Sequence, residues 1–237
     1  MTTRHFALPN RRVAREEYLI RHCAGKRVLH LGCADWSTSG DWLHRVESGA
    51  WLHGRLRAVA SECIGVDNAS DAVAYLHERC GLPDIYVADA EQLVLPGARP
   101  FDVIVAGELI EHLACPGAFL ESAKTLMHPD ALLLVTTCNA YCLRRLLRVV
   151  FGVESVHEDH VAYYSHRTLA RLAELCGYEV VEQLNYRLPN RLPRLPYVVE
   201  TLACTLAPNV GEGIIIALRL PREGVAGPAP ARPGGAR

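Results

Sequence analysis

Three short apolar stretches of this chain each end in a glycine or an aspartate. They cover residues 27–31, 63–66 and 85–88, and they are followed by Gly32, Asp67 and Asp89. Runs of this length are typical of strands buried in a parallel sheet. Because a ligand in such a sheet sits beyond the carboxyl ends of the strands, the turn and the two acids are expected in one crevice. Together they offer the chemistry of a nucleotide site: a tight turn, an acid for ribose hydroxyls and an acid for a base edge.

The turn after the first stretch is only partly glycine-rich. Gly32 is in place, but Ala34 and Trp36 occupy positions where a dinucleotide-binding loop has further glycines. Those glycines let the backbone approach a pyrophosphate, so the sequence disfavours a nicotinamide oxidoreductase. A ligand without a phosphate at this place tolerates the larger side chains.

A second group of chemically capable residues follows the apolar stretch 101–106. Glu108, Glu111 and His112 would share one face if the segment forms a helix, because their spacing is i, i+3 and i+4. His160, in a later His-Glu-Asp-His sequence, is available as a fourth group. Carboxylates and imidazoles suit Mg²⁺ or Mn²⁺, so these four residues form a possible divalent-metal site.

Alternating strand and helix patterns surround these groups. Strands are predicted over residues 27–31, 63–66, 85–88, 101–106, 132–136, 178–184 and 213–220. Helices are predicted over residues 11–23, 42–60, 69–80, 116–127, 140–150 and 166–176. Such alternation is built from right-handed βαβ units. The predicted fold class is α/β: a single Rossmann-like, doubly wound sheet, mostly parallel with an antiparallel last strand, and helices on both faces.

One domain accounts for most of the chain. Residues 1–24 are predicted as an N-terminal helix region and residues 25–220 as the main domain. A lid or packing insertion is expected near 185–210, because its four prolines prevent one continuous regular element. Residues 221–237, rich in Pro, Gly, Ala and Arg, are predicted to be a disordered tail.

The composition is that of an ordinary globular protein. The chain is 50% hydrophobic and 22% charged, and its formal net charge of −1 gives no electrostatic argument for a nucleic acid or a membrane partner. Nine cysteines without a Cys-x-x-Cys pair are expected to be reduced thiols. No apolar run reaches the roughly 18 residues of a membrane span, and no secretion signal is visible. We therefore expect a cytoplasmic protein without membrane or nucleic-acid partners.

Five segments carry a family resemblance in their natural order. They lie within residues 20–184 and read HLGCAD, IGVD, VADAEQL, FDVIVAGELIEHL and LLLVTTCNA. On these motifs the chain resembles the class I S-adenosylmethionine-dependent methyltransferases. With the later segment HEDHVAYYS, it is similar more narrowly to bacterial members that act in small-molecule and glycan pathways. The resemblance implies S-adenosylmethionine as cofactor.

The resemblance also implies roles for individual residues. Asp67 would accept hydrogen bonds from both ribose hydroxyls, Asp89 would accept one from the adenine amine, and Glu108 would lie near the methionine moiety or the acceptor. The carboxylate that the family usually has in its first motif is His30 here, and its usual proline in the fifth motif is Cys138. The cofactor-binding residues that the resemblance implies are His30, Gly32, Cys33, Ala34, Asp67, Asn68, Asp89, Ala90, Glu91 and Glu108.

Methyl transfer is an in-line displacement, so the protein mainly aligns an acceptor and, for a hydroxyl, removes its proton. The catalytic candidates are His160, His112 and Glu111. The expected acceptor is a small molecule of natural-product or sugar type, methylated on oxygen. Arg144, Arg145 and Arg148, on one predicted helix, would either grip an anionic acceptor or form a solvated helix face.

Two other functions stay open. The possible metal site resembles that of the small-RNA 3'-terminal 2'-O-methyltransferases, which implies metal-assisted methylation of an RNA hydroxyl as one alternative. Metal-free members of the family carry a Glu-His pair at this place as part of the pocket wall. The second alternative is a non-catalytic cofactor-binding partner of another enzyme, and a homodimer is also possible.

Overall fold

The computed structural model describes residues 5–34, 41–187 and 201–222, which form an eight-stranded sheet with helices around it. The central strands are buried on both faces, as a parallel sheet between two helical layers requires. In chain order the strands are β1 (Arg12–Val13), β2 (Arg27–Leu31), β3 (Glu62–Asp67), β4 (Ile85–Val87), β5 (Phe101–Gly107), β6 (Met127–Cys138), β7 (Glu179–Tyr186) and β8 (Gly213–Arg219).

The strand order is β1-β7-β8-β6-β5-β2-β3-β4. The last strand, β8, runs antiparallel to its neighbours β6 and β7. The other neighbouring strands are parallel. This topology confirms the predicted fold class, a doubly wound sheet that is mostly parallel and has an antiparallel last strand.

Helices cover both faces of the sheet. The α-helices with assigned bounds in the described ranges are α1 (Arg15–Cys23), α2 (Asp41–Glu47), α3 (Leu52–Arg57), α4 (Ser70–Cys80), α5 (Pro116–Lys124), α6 (Leu143–Val150) and α7 (His166–Leu175). Residues 201–206 are also helical. On one face Leu29 packs in a core with side chains of α5 and α7, and on the other Val28 packs in a core with side chains of α1 and α3. Because side chains alternate along β2, successive residues of this strand pack into the two cores on opposite faces of the sheet.

Two predicted helices differ from the structure in the amino-terminal half. The helix predicted over 42–60 is two helices, because residues 48–50 form a turn in which Gly49 has a left-handed φ of 72°. The helix predicted from residue 11 begins at Arg15. The residues before it, Arg12 and Val13, form an edge strand beside β7.

The carboxyl-terminal part is more regular than its prolines predict. Strand β7 continues to Tyr186, because Asn185 is buried and bonded to His166 Nε2 (2.9 Å) and to the carbonyl of Pro9 (2.8 Å). Residues 188–200 of the predicted insertion and 223–237 of the predicted tail lie outside the described residues, so the predicted domain bounds stay predictions. All nine cysteines are free thiols, as expected. No described helix is long and apolar enough to cross a membrane.

The register of the sheet collects the predicted site residues at one edge. Leu31 pairs with Ala106 across β2 and β5, and Gly107 pairs with Thr136 across β5 and β6. The residues that follow β2, β3 and β5 therefore emerge side by side at the carboxyl ends of parallel strands. This edge is where an open α/β sheet holds its ligand.

Candidate active site

The backbone conformation of Gly32 and two long-range hydrogen bonds fix the turn after β2. Gly32 has a φ of 67°, a conformation that residues with a side chain rarely adopt. The Ala34 N–H donates to Asp67 Oδ2 (2.9 Å), and Trp51 Nε1 donates to the Cys33 carbonyl (2.7 Å). Cys33 and Ala34 are themselves fully buried. Residues 32–34, the described part of this turn, are therefore held by contacts within the protein.

Asp67 ends β3 and faces this loop. Its Oδ1 accepts the Ala69 N–H (3.0 Å) and its Oδ2 accepts the Ala34 N–H, so the carboxylate joins the two strand ends. Each oxygen has capacity for a further hydrogen bond. Asn68, the next residue, is exposed. The geometry suits an acid that binds ribose hydroxyls while it braces the loop.

Asp89 follows β4 and caps a short 3-10 turn. Its Oδ1 accepts the Glu91 N–H (2.8 Å), and the side chain is otherwise open to solvent. Glu91 is used differently from the prediction, because its Oε1 accepts the Cys115 N–H (2.7 Å) before α5. Ala90 is buried, and its carbonyl accepts the Ser122 hydroxyl (2.9 Å). Asp89 thus lies more open to a ligand than Glu91, which has one oxygen bonded to the backbone before α5.

His30 lies inside the protein rather than in the cleft. It is 3% exposed, and its Nδ1 lies 3.3 Å from Nδ1 of His53, with the two rings stacked. Burial lowers the pKa of both imidazoles, that of His53 to about 4, so both rings are neutral at pH 7. The prediction of His30 as a cofactor contact is therefore corrected to a buried residue behind the loop.

Glu108 occupies a strained position directly after β5. Its φ is 54°, and it is the one non-glycine residue with a positive φ among those the structure describes. Its Oε1 accepts hydrogen bonds from the Thr136 hydroxyl (3.1 Å) and from the Tyr186 hydroxyl. A left-handed non-glycine residue costs roughly 1 kcal/mol or more, and such residues cluster at functional sites. The bonds to Glu108 hold it in this conformation.

Arg15, at the start of α1, joins the hydrogen bonds around Glu108. Its Nε donates to the Thr136 hydroxyl (2.9 Å), which in turn donates to Glu108. The guanidinium crosses Gly107 so closely that a Cβ there would lie 2.5 Å from Nη2. A side chain at position 107 would therefore displace the end of the Arg15 side chain.

Glu111 is completely buried beside Glu108. Its Oε2 accepts the Thr137 hydroxyl (2.8 Å), whereas Oε1 has no partner. Burial, and next the charge of Glu108, raise the pKa of Glu111 to about 7. A buried carboxyl with an unpaired oxygen is costly, and it suits a group that exchanges a proton or binds a ligand.

His160 meets Glu111 from the loop after α6. The Val161 N–H donates to the Glu111 carbonyl (2.9 Å), which fixes the loop against the site. Nδ1 of His160 is buried without a partner. Burial first, and then the neighbouring imidazoles, lower the pKa of His160, so it is neutral at pH 7. Donor atoms of His160, Glu111 and Cys138 all lie within 4.8 Å of one another.

The structure brings together only part of the predicted metal site, which consists of Glu108, Glu111, His112 and His160. Residues 110–112 form a 3-10 turn, and Glu108 lies before it in a left-handed conformation, so the three side chains do not share the face of one α-helix. Nδ1 of His112 faces the Asp159 carbonyl (3.2 Å), and the ring packs edge-on against His160 with centroids 4.6 Å apart. Glu108 is bonded to Tyr186 and Thr136. The set that converges is therefore Glu111, His160 and Cys138.

Three residues of this site were not predicted as such. Cys138 ends β6, and burial raises the pKa of its thiol to about 12, so it is a neutral group 3.9 Å from Glu108 Oε2. The polar run Thr136-Thr137-Cys138 at the end of an apolar strand was a usable signal. Arg15 and Tyr186 carry no such signal, because only the folded chain brings them to Glu108.

The described residues offer hydrogen-bond acceptors that suit a nucleoside and others that suit a hydroxyl. Asp67, bonded to the turn after β2, and Asp89, after β4, both have unused acceptor capacity that suits the ribose and the adenine amine of S-adenosylmethionine. The unpartnered atoms of Glu111 and His160 fit an acceptor or a cation. A cation on all three converging groups would require the Cys138 thiol to lose its proton.

Comparisons with known proteins agree with this geometry. Residues 11–183 match a family profile described as a methyltransferase domain. A ubiquinone biosynthesis O-methyltransferase of Caulobacter sp. (strain K31) is 44% identical over 134 residues, which cover 56% of this chain and 48% of that protein. The enzyme of that name from Aromatoleum aromaticum is 27% identical over 172 residues, 68% of this chain and 67% of the relative. The chain thus spans about half the length of the Caulobacter relative.

Solved structures share the fold at lower identity. A SAM-dependent methyltransferase from Archaeoglobus fulgidus superposes with a TM-score of 0.54 at 17% identity, covering 86% of this chain and 90% of that one. The small RNA methyltransferase HEN1 gives a TM-score of 0.60 at 18% identity, over 89% of this chain and 25% of HEN1. At these identities the likeness concerns the fold alone.

Proposed function

Since this chain belongs to the class I S-adenosylmethionine-dependent methyltransferases, we propose that it transfers a methyl group to an oxygen atom of a small-molecule acceptor. One observation carries the proposal. Glu111 Oε1 and His160 Nδ1 have no hydrogen-bond partner, and one ligand atom of each residue lies within 4.8 Å of the other and of Cys138 Sγ. Groups that exchange protons at this place suit a hydroxyl acceptor, whose proton must be removed.

The residues around the first turn would hold the cofactor. S-adenosylmethionine, when bound, supplies a methyl group on a sulfonium that is open to displacement. We assign Asp67 to the ribose hydroxyls, Asp89 to the adenine amine, and the Gly32–Ala34 turn to the methionine part. Asn68 and Ala90 stay proposed neighbours of the nucleoside. Glu108, with one oxygen bonded to Tyr186 and Thr136, would orient the ligand where methionine meets acceptor.

The protein's chemical contribution would be alignment and proton removal. His160 is neutral at pH 7 and its Nδ1 has no partner, so it can accept the proton of an acceptor hydroxyl. Glu111, with a pKa of about 7, can accept or return that proton next to it. His112 packs against His160 and would limit its ring orientation. We therefore place His160 and Glu111 at the reacting hydroxyl and His112 behind them.

Oxygen as the methylated atom is supported from outside the site as well. Relatives named as O-methyltransferases of ubiquinone biosynthesis are similar over 56% to 68% of this chain. Their names do not fix the acceptor of this protein, and we keep natural-product and sugar-type alcohols as the proposed class. Cytoplasmic location and a homodimer stay proposals.

A divalent ion is a second candidate partner for the hydroxyl. The observation that favours it is the convergence of Glu111, His160 and Cys138 donor atoms within 4.8 Å. A carboxylate and an imidazole suit Mg²⁺ or Mn²⁺, whereas a thiolate among the ligands favours a softer ion such as Zn²⁺. Proton transfer by Glu111 and His160 leaves the Cys138 thiol protonated, whereas a three-ligand metal site would take its proton away.

A methyl-transfer assay tests the proposal. The purified chain is incubated with cofactor carrying a labelled methyl group and with panels of phenols, sugar alcohols and short RNAs, with and without a chelator. We expect label on a small hydroxyl compound, loss of transfer in His160→Ala, and no effect of the chelator. Transfer that chelation abolishes and Mn²⁺ or Mg²⁺ restores would replace the metal-free account. Label on RNA, with salt-sensitive binding, would replace the small-molecule acceptor.

Absence of transfer to every acceptor class, together with saturable cofactor binding, would favour the non-catalytic partner function. Against that function, Glu111 and His160 both have buried polar atoms without partners. A protein that only binds the cofactor gains nothing from such costly groups.

A further inference from the structure

The three arginines of α6 have different surroundings. Arg144 pairs with Glu212 (2.9 Å), and Arg148 is exposed and donates to the Ser155 hydroxyl (2.6 Å). Arg145 is half-buried and contacts the end of β6, beside the candidate active site. The sequence allowed two roles for all three arginines, a grip on an anionic acceptor or a solvated helix face. The structure separates Arg145 from the other two.

Arg145 is held in place by fixed neighbours. Its Nη1 donates to the Asn139 carbonyl (3.1 Å), and its guanidinium carbon lies 4.8 Å from the centroid of the Tyr163 ring. Asn139 is itself buried, and its Nδ2 donates to the carbonyls of Asn209 (2.8 Å) and Gly211 (2.9 Å). An arginine that is already fixed loses less conformational entropy when it binds a ligand.

The same guanidinium reaches the residues proposed for proton removal. Its Nη2 lies 3.2 Å from Cys138 Sγ, and a ligand atom of Glu111 and one of His160 each lie within 4.8 Å of that sulfur. The Tyr163 ring packs edge-on against the His160 ring, with centroids 6.0 Å apart. Burial and the neighbouring imidazoles lower the pKa of His160 most, and the charge of Arg145 lowers it further. Arg145 therefore lies where the acceptor is proposed to react.

The charge of Arg145 is not matched by a carboxylate within the described ranges. The contacts of its guanidinium there are a carbonyl, a thiol and an aromatic ring. Burial raises the pKa of the Cys138 thiol to about 12, so this contact is neutral. Arginine has further N–H donors in a planar fork that suits a carboxylate or a phosphate. Because a partly buried charge without a counter-charge is costly, this cation gains from an anionic ligand.

We propose that Arg145 determines acceptor specificity by binding a carboxylate or phosphate group of the acceptor, while the acceptor hydroxyl lies at His160. This inference rests on the proposed function, because it concerns the same acceptor. It narrows the small-molecule class to hydroxy compounds that carry a negative charge a few bonds from the hydroxyl. The cation would also offset the repulsion between such an acceptor and the carboxylate of Glu108, whose Oε2 lies 3.9 Å from the same Cys138 sulfur.

A bracing role is the alternative for Arg145. Its contacts join α6 to the end of β6 and to Tyr163, so its removal could shift the helix. Bracing alone predicts the same loss for every acceptor, because all of them depend on the position of the helix. Recognition predicts a loss that is confined to anionic acceptors. A comparison of matched charged and uncharged compounds therefore separates the two roles.

Binding of simple anions tests this proposal without methyl transfer. The full chain, with excess S-adenosylhomocysteine, is titrated with benzoate, phenyl phosphate and uncharged benzyl alcohol and followed by ligand-observed NMR. We expect at least one anion to bind about tenfold or more tightly than benzyl alcohol, and the tighter anion identifies the group recognised. Arg145→Gln should remove this difference, and Arg145→Lys, which keeps the charge without the fork, should keep part of it. The exposed Arg148 gives the matched control Arg148→Gln, which should bind as the unmodified chain does. Circular dichroism checks the fold of each variant.

Equal binding of the three compounds, or unchanged anion binding by Arg145→Gln, would overturn the proposal. The transfer assay adds a second measurement, in which Arg145→Gln should raise KM for 3-(hydroxymethyl)benzoate about tenfold or more and leave KM for benzyl alcohol unchanged. An equal loss with both compounds would assign Arg145 to bracing.

The two measurements also separate this inference from the proposed function. Anion binding that depends on Arg145, without transfer to any acceptor, would keep the anion site and contradict the proposed function. Transfer to uncharged acceptors without anion binding would keep the proposed function and overturn this inference.

Discussion

The candidate site has two halves that are built in different ways. In the cofactor half, Asp67 accepts backbone N–H groups from the ends of β2 and β3, and Asp89 accepts one from the turn after β4. In the acceptor half, Glu108 and Glu111 depend on side chains from distant parts of the sequence. These are Arg15, Thr136, Thr137, Cys138, His160 and Tyr186. The first half is braced mainly by backbone N–H groups bonded to its two acids, whereas the second is held by side chains bonded to other side chains.

This difference implies a division of labour that mutations can separate. Residues of the cofactor half should control affinity, because they bind ligand atoms that do not react. Residues of the acceptor half should control turnover, because they exchange a proton or hold the groups that do. Three of the four predictions below test that separation, and the pH prediction tests the buried histidines behind the cofactor half.

The largest effect is expected from His160→Ala. Loss of a general base lowers turnover by about 10²- to 10⁴-fold, while affinity for S-adenosylhomocysteine should be unchanged. The neighbouring His157, whose side chain is 58% exposed, gives the matched control His157→Ala, which should keep turnover. Initial rates measure turnover, and calorimetry measures cofactor affinity, for the unmodified chain and the two variants. Unchanged turnover in His160→Ala would remove the proposed base.

Asp67→Ala should have the opposite effect, because it should weaken cofactor binding more than it lowers turnover. Two hydrogen bonds from ribose hydroxyls to a carboxylate are worth roughly 3 kcal/mol or more, which corresponds to at least about hundredfold weaker binding. Turnover at saturating cofactor should change much less. Asp71→Ala, at an exposed acid in the first turn of α4, serves as control. If Asp67→Ala binds the cofactor normally, this acid only braces the loop.

Acid should weaken the cofactor half first. Burial lowers the pKa of His30 and His53 in the folded protein, whereas the unfolded chain takes up protons on both below pH 6.5. Stability from these rings is therefore complete above pH 6.5 and is lost as the pH falls toward 4, with about 3 kcal/mol from His53 alone. Urea unfolding between pH 4 and 8 measures this loss of stability. In His53→Gln the free energy of unfolding should depend less on pH. A pH-independent midpoint contradicts the burial of neutral rings.

A smaller effect on turnover is expected from Tyr186→Phe. The variant keeps the ring and removes one donor to Glu108, which should lower turnover by about tenfold with cofactor affinity nearly unchanged. Tyr178→Phe is the matched control, because it also removes a buried hydroxyl, bonded to the Leu120 carbonyl. The control should lose stability and keep turnover. Equal turnover in both variants would show that Glu108 does not need this bond.

The same division explains what could be predicted from sequence. Strand periodicity and strand-end residues depend on local pattern, so the sheet, the Gly32 turn and the positions of Asp67 and Asp89 were accessible. His30 was assigned to the cofactor because its place in the motif is that of a ligand contact. Its actual surroundings are set by His53, whose position depends on how α3 packs.

The arrangement of the acceptor half and the orientation of α6 depend on tertiary contacts that no local sequence pattern predicts. The spacing of Glu108, Glu111 and His112 fits a helix, but the left-handed backbone at Glu108 is stabilised by Tyr186 and Thr136. Likewise, amphipathicity predicts that the residues after β6 form a helix but does not say which side faces the protein. Arg144 turns inward because Glu212, far along the chain, receives it.

Calorimetric titration of the purified chain with S-adenosylhomocysteine tests the central claim most directly. The account predicts saturable binding at one site with a dissociation constant in the micromolar range, about −8 kcal/mol. Absence of saturable binding would contradict it. In that case the altered first turn has lost the cofactor, and the acceptor half would have no methyl group to deliver.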